Sequence, residues 1–362
     1  MSWVVHKFGG ASVKDADAVR NLGRILGDRV SGEDAGHGAA VVVSAMGKTT
    51  NALEAVWQSL PHAGEVESVL ASVVESHAAT VRKLGLAPDL LDADFAAFRV
   101  LAESWRGRPV SDEGYDALVG QGERWSTRIV SAHLAAIGLP ALWVSAWDII
   151  QTDGTNRAAV VDAAEVGRRV RANQADWSGR IPVMQGFVGS APDGRPTTLG
   201  REGSDFSGAL LAEALQAERF FVWKDVPGVM TGDPRCWPPA ECLPVLDHET
   251  ADILGKAGAG VLHQDTVAPI RRAGIPLHVR SFLDPQAPGT RIEGETPPPG
   301  LPPLWTMSVA RDGMRQVRCI GADEATAAAM WTHHVPDAPI RSIGPDPRFP
   351  RCVLMLVPEG GQ

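Results

Sequence analysis

The sequence predicts an α/β protein built on a mainly parallel sheet, with a small α+β unit after it. Three observations carry that expectation: two strand-loop-helix units within the first 60 residues, an alternation of strands and helices that persists to about residue 292, and a proline-rich break beyond it. A chain of 362 residues has room for roughly two domains of about 150 residues each.

Trp3 to His6 reads as a buried strand, Lys7-Phe8-Gly9-Gly10-Ala11-Ser12 as a glycine turn, and Val13 to Leu26 as a helix, because its apolar residues recur at helical spacing. The pattern returns with a strand at Ala39 to Val43, a loop at Ser44 to Thr50 and a helix from Asn51 to Leu60. Residues 65 to 137 are helical by composition, with breaks near Pro88 and Pro109. Further strands are expected at Ala141 to Val144, Pro182 to Met184, Phe220 to Trp223 and Ile275 to Val279, and helices at Ser204 to Leu215, Thr250 to Lys256 and Asp265 to Ala273. The expected organisation is a main domain over 1–292, a linker over 293–304 that contains Pro297-Pro298-Pro299-Gly300, and a unit over 305–362. That last unit offers a strand at Gln316 to Ile320, a helix at Asp323 to Trp331 and strands near Ile340 to Ile343 and Cys352 to Val357.

Composition narrows the function. The net charge of −9 forces no basic face, so nucleic acid is not an expected partner. Neither a signal peptide nor a run of about 18 apolar residues is visible, so a soluble, cytoplasmic protein with no membrane partner is expected. The four cysteines form no CxxC pair, which fits reduced thiols and gives no zinc pattern.

Four of only six lysines, Lys7, Lys48, Lys224 and Lys256, fall in or beside the loops that end strands and start helices, which points to an anionic ligand. Lys7-Phe8-Gly9-Gly10 could cradle a phosphoryl group with backbone amides and one ammonium; an ordinary tight turn is the competing reading. Ser44 to Asn51 reads equally as a helix cap, and Glu123 as a residue complementing a helix dipole. Thr197 to Asp205 is denser, bringing arginine, serine and aspartate to the start of an apolar helix, and Trp223 to Arg235 sets a lysine and an aspartate at the end of a strand.

At these residues the sequence resembles the aspartate kinase branch of the amino acid kinase family. The matching segments are Lys7 to Val13, Val42 through Asn51, Gly122-Glu123 with Ser126, Gln185-Gly186-Phe187, Thr197 to Asp205, Trp223 to Arg235, Val261-Leu262-His263 and Ala287 to Thr290, spanning about residues 3–292 in order. The resemblance implies a three-layer αβα sandwich followed by a partial ACT-like unit, and transfer of the ATP γ-phosphoryl group to the side chain of L-aspartate. It implies a catalytic group of Lys7 and Asp205 with the Gly9 and Gly10 amides. Ser44, Ala45, Thr50, Glu123, Phe187, Arg201 and Ser204 would hold the amino acid, Arg201 on its α-carboxylate and Glu123 on its ammonium. Lys7, Lys224, Asp225, Met230, Asp233, Arg235, Lys256, Gly260 and Val261 would hold the nucleotide, with Mg²⁺ arriving as MgATP. A homodimer is implied as well.

Four departures stand out: Ala11 replaces the threonine of the opening motif, Gly260 stands where many relatives carry lysine, Lys224 where many carry threonine, and Glu202 where glycine is commoner. Lys224 is expected to supply the phosphate charge lost at Gly260, with Glu202 as a counterion. The shortened C-terminal region implies weak or absent feedback inhibition by lysine or threonine. The competing readings are a kinase of this fold acting on another small acid, such as N-acetylglutamate or a modified aspartate, and a non-catalytic nucleotide or amino-acid binding homologue.

Overall fold

The computed structural model describes residues 2–61, 66–200, 203–237, 239–309, 314–349 and 351–358. Two compact units, Met1–Asp225 and Val226–Gln362, divide the chain.

In chain order the first unit contains β1 (Trp3–Phe8), α1 (Ala16–Ser31), β2 (Gly38–Val43), α2 (Thr49–Ser59), α3 (Val66–Lys83), α4 (Asp92–Trp105), α5 (Asp112–Val119), α6 (Gln121–Ala136) and β3 (Ala141–Val144). It continues with α7 (Ala146–Ile149), α8 (Ala163–Trp177), β4 (Ile181–Gln185), β5 (Val188–Ser190), β6 (Pro196–Thr198), α9 (Ser204–Leu215) and β7 (Arg219–Lys224). Five strands pair in parallel in the order β3-β4-β2-β1-β7, which puts β1 at an interior position and explains why all six of its residues are buried.

Both faces of this sheet are covered. On one, α1 lays the Arg29 guanidinium 4.3 Å above the Phe221 ring, and Arg29 binds Asp34 through two 2.7 Å hydrogen bonds. Asp34 also lies 3.5 Å from His6 Nε2 and 3.1 Å from Arg219, so a carboxylate sunk beneath the sheet has cations on several sides. Burial pushes the His6 pKa down, and the hydrogen bond to Asp34 opposes that shift. On the other face α9 approaches so closely that a Cβ at Gly208 would stand 2.7 Å from Phe220 and 3.3 Å from the Lys7 Cβ. Only glycine permits that approach, and it sets the start of α9 against the end of β1.

The second unit holds β8 (Val245–Leu246), α10 (His248–Lys256), α11 (Val267–Ala273), β9 (Leu277–Ser281) and β10 (Thr290–Ile292), with β10 antiparallel to β9 and parallel to β8. It also holds β11 (Leu304–Val309), β12 (Met314–Ile320), α12 (Glu324–His334), β13 (Ser342–Pro345) and β14 (Cys352–Pro358). The last four strands form an antiparallel sheet in the order β11-β12-β14-β13. The expected β-α-β-β set is thus ββαββ, an arrangement that fits an ACT-like unit. Proline-rich flanks hid β11 from the sequence reading.

Other boundaries moved for local reasons. Gly10–Val13 forms a 3₁₀ turn, and the helix begins at Ala16 because the Asp15 carboxylate caps it through the Ala18 N–H at 2.9 Å. Gly274, left-handed at φ +67°, and Pro276 delay β9 to Leu277. Helix α8 was not anticipated because it buries little beyond Val166, Gly167, Val170 and Trp177. No helix among the described residues is long and apolar enough to cross a membrane.

Candidate active site

The site in the first unit follows from strand alternation. Register pairs Lys7 with Val222 across β1 and β7, and side chains repeat every second residue, so Lys224 falls on the same face as Lys7. That face is the one α9 covers. The second residue of α9, Asp205, is 1% exposed and receives both heads: Lys7 Nζ lies 2.6 Å from its Oδ1, and Lys224 Nζ lies 2.8 Å from its Oδ2. Burial alone would favour the neutral acid, but the two ammonium groups outweigh it and hold the Asp205 carboxyl well below the usual carboxylate range. A carboxylate engaged at both oxygens is an anchor for cations and a poor proton acceptor.

Two loops close on this pair of cations. The Lys7 ammonium lies 3.6 Å from the position a Cβ on Gly9 would take, so the head folds back to the glycine turn. A Cβ on Gly10 would stand 2.8 Å from the Ala45 carbonyl oxygen, while Gly47 N–H donates to Gly10 O at 3.0 Å and Ser44 N–H to Phe8 O at 3.1 Å. Glycine at position 10 is therefore what lets the β1 and β2 loops touch. Ser44 and Thr50 are half-buried at this junction and Ala45 is buried.

Glu123 reaches the same junction from the first turn of α6. It is 3% exposed, its Oε1 accepts from Ala45 N–H at 3.3 Å, and its Oε2 is buried without a hydrogen-bond partner among the described residues. Burial raises its pKa to about 8, against the opposing pull of the Ala45 N–H and the Lys7 charge. Ser126, one turn on, donates to Ser44 O at 2.7 Å and ties α6 to the loop.

Phe187 and Ser204 meet from a third direction. Phe187 is buried at φ +71°, its N–H donates to Ser207 Oγ at 2.9 Å, and its carbonyl accepts from Leu199 N–H at 2.8 Å. Gly186 packs so tightly on α9 that a Cβ there would lie 2.5 Å from the Ser204 Cβ. Gly186→Ala is accordingly expected to cost about 1–3 kcal/mol of stability, and thermal unfolding checks it. Ser207 escaped the sequence reading; a lone hydroxyl in the apolar run of α9 was the available signal. So did Asp116, wholly buried, whose carboxylate accepts from Thr198 Oγ1 at 2.6 Å and Arg157 N–H at 3.0 Å and so pins the strand leading to Gly200. Arg201 and Glu202 lie outside the described residues.

Of the residues assigned to the nucleotide, Lys7, Lys224 and Asp225 belong to the first unit, Asp225 exposed at the end of β7. The others belong to the second. Met230 bridges to Cys242, and Asp233 accepts from the Arg235 backbone at 2.9 Å and from its guanidinium at 2.6 Å. Lys256 is exposed on α10, ion-paired to Asp252 at 2.6 Å. Gly260 has φ +72°, a backbone a lysine there would adopt only with strain, and Val261 follows half-buried. Among the described residues no group of three or more His, Cys, Asp or Glu side chains is arranged to hold a metal ion.

The family model described as "Amino acid kinase family" matches residues 2–281. The chain belongs to that family. Among curated proteins, it is 34% identical over 309 residues to the Lysine-sensitive aspartokinase 3 of Escherichia coli, covering 82% of this chain and 66% of that one. It is 31% identical over 306 residues to the chloroplastic Bifunctional aspartokinase/homoserine dehydrogenase 1 of Arabidopsis thaliana, covering 80% of this chain and 32% of that protein. The chain thus spans about a third of the bifunctional relatives it matches. Among solved structures, E. coli aspartokinase III in complex with aspartate and ADP superposes with a TM-score of 0.84 at 26% identity, covering 98% of this chain and 96% of that one.

Proposed function

We propose that this chain is an aspartate kinase, which transfers the γ-phosphoryl group of ATP to the side-chain carboxylate of L-aspartate and forms 4-phospho-L-aspartate and ADP. The observation that carries the reading is the pair of ammonium groups, Lys7 and Lys224, anchored on buried Asp205 at the ends of two adjacent parallel strands. The superposition with an aspartokinase complexed with aspartate and ADP supports the choice of substrates.

The acceptor carboxylate has a pKa near 4 and is already ionised at neutral pH, so the chemistry needs no general base. Its obstacle is repulsion between two anions. Lys7 and Lys224 would neutralise charge on the transferring group and the Gly9 and Gly10 amides would donate to it, so catalysis rests on positioning and electrostatics. Asp205 keeps the two ammonium groups, which would otherwise repel, side by side. The phosphoryl group leaves ADP as the aspartate oxygen bonds to phosphorus, and no proton changes hands.

Glu123, with an unpartnered buried oxygen, suits a substrate ammonium and argues for a free amino acid over an N-acylated one. Arg201 would clamp the α-carboxylate bidentately, by resemblance to the family. Ser44, Ala45, Thr50, Phe187 and Ser204 would wall the amino-acid site. In the second unit Met230, Asp233, Arg235, Lys256, Gly260 and Val261 would serve the nucleotide. Mg²⁺ would accompany ATP and screen the phosphate charges. A homodimer belongs to the same proposal, and light scattering reads it.

A hydroxylamine trap for the acyl phosphate, run with MgATP and aspartate, glutamate or N-acetylglutamate, tests the function. Hydroxamate is expected with aspartate, and none with any acceptor would overturn the reading in favour of a binding protein. Lys224→Ala is expected to raise KM for ATP and lower kcat, each by about tenfold or more, as loss of a charge-assisted contact does. Unchanged values for both constants would refute its phosphate role.

A further inference from the structure

The turn carrying Asp233 and Arg235 does not hang free. The Asp233 carbonyl accepts from both Cys236 N–H at 2.9 Å and Trp237 N–H at 2.7 Å, so residues 233–237 make one tight turn that ends on an indole. That indole is only 4% exposed and stacks on Trp305 of β11, with ring centroids 4.4 Å apart and planes 27° apart. It lies 6.2 Å from Trp331 of α12 at 14°, meets His334 edge-on at 5.0 Å, and Trp305 and Trp331 are themselves 5.8 Å apart.

The same core contains Val317, Cys319, Val353, Met355 and Val357 of the C-terminal sheet, so Trp237 completes a core whose other members come mostly from residues beyond 304. The backbone repeats the connection. Trp305 N–H donates to Thr231 O at 2.7 Å, while Thr231 N–H donates to Glu241 O at 2.8 Å and closes the loop's base. Gly232 wraps the indole closely enough that a Cβ there would lie 2.9 Å from its Cδ1. An exposed loop bearing a charged pair is thereby fixed at both ends to a packed sheet.

We propose that Trp237 is a positioning residue for nucleotide binding, its seat in the tryptophan stack fixing the Asp233–Arg235 turn in the conformation that receives ATP. This rests on the nucleotide reading of that turn given above. Ordering the turn before binding removes an entropic cost the nucleotide would otherwise bear, so the effect falls on nucleotide affinity and leaves the acceptor side alone.

The test measures KM for ATP, KM for aspartate and kcat in the full chain. Trp237→Ala is expected to raise KM for ATP about tenfold while KM for aspartate and saturated kcat stay within about twofold, the pattern of lost uniform binding. Trp237→Phe keeps a ring in the stack and is expected to restore most of the ATP affinity. Near-UV circular dichroism of the stacked indoles should fall in the alanine variant. Val317→Ala opens a cavity in the same core outside the ring stack; it is expected to lower Tm and leave KM for ATP unchanged. The inference is overturned if Trp237→Ala leaves KM for ATP at its original value, or if Val317→Ala raises it equally. Arg235→Ala separates the two levels: a raised KM for ATP there with none in Trp237→Ala removes only the inference, whereas no change in Arg235→Ala removes the nucleotide role of the turn and the inference with it.

Discussion

Replacing Lys7 with alanine should lower kcat for aspartate phosphorylation by about 10³-fold, the scale on which a single preorganised charge stabilises a transferring phosphoryl group. The reason lies in burial. The Lys7 side chain is 5% exposed and its ammonium sits 2.6 Å from Asp205, so the charge acts where water screens it little. Lys224 continues to pair Asp205 in the variant, so Asp205 does not become an unpaired buried charge and the protein should still fold. Asp205→Ala is the contrasting case, since it leaves two neighbouring ammonium groups without their shared anion, and a larger fall in Tm is expected from it than from Lys7→Ala. Hydroxamate yield and thermal unfolding on the same preparations check both. A kcat for Lys7→Ala within tenfold of the original would remove Lys7 from the catalytic group.

The second large effect is a pH dependence set by Glu123. Its pKa, raised to about 8 by burial, means that near neutrality the carboxyl carries a proton in the ligand-free protein. An aspartate ammonium binds the ionised form, so binding must release that proton. KM for aspartate should therefore fall as pH rises toward 8, by up to about tenfold per pH unit, and level off above it. Glu123→Gln should abolish the dependence and leave KM high throughout. Stability moves the other way. The folded pKa exceeds the ordinary value of 4.5, so the folded state holds an extra proton between about 4.5 and 8. The contribution is complete below that window and is lost as pH rises through it, so Tm should decline toward pH 8 more in the original protein than in Glu123→Gln. A KM for aspartate that is flat from pH 6 to 9 would eliminate the ammonium role.

Much of this was legible in the residues. Apolar runs located β1, β2, β3 and β7, and the segments around Lys7, Glu123, Phe187 and Asp205 were singled out although they are scattered over about 200 residues. Elements whose burial depends on partners distant in the chain were harder to read. Helix α8 is mostly polar, and β11 stands behind a proline-rich stretch, so neither has a strong periodic signature. The counterion of Lys224 was also out of reach. Glu202, expected as a counterion, lies outside the described residues, and the ion pair of Lys224 with Asp205 follows from the register of β1 and β7, which sets both lysines beneath the first turn of α9.

By itself the amino-acid sequence determined the family, the parallel α/β core and the identity of the charged groups, since those follow from local periodicity and the order of motifs along the chain. Only the tertiary structure decided that one carboxylate serves two ammonium groups, that Glu123 keeps an oxygen without a partner among the described residues, and that Trp237 belongs to the core of the C-terminal sheet. Such facts depend on strand register and on which helix covers which face, and contacts between residues far apart in the chain leave no local pattern to read.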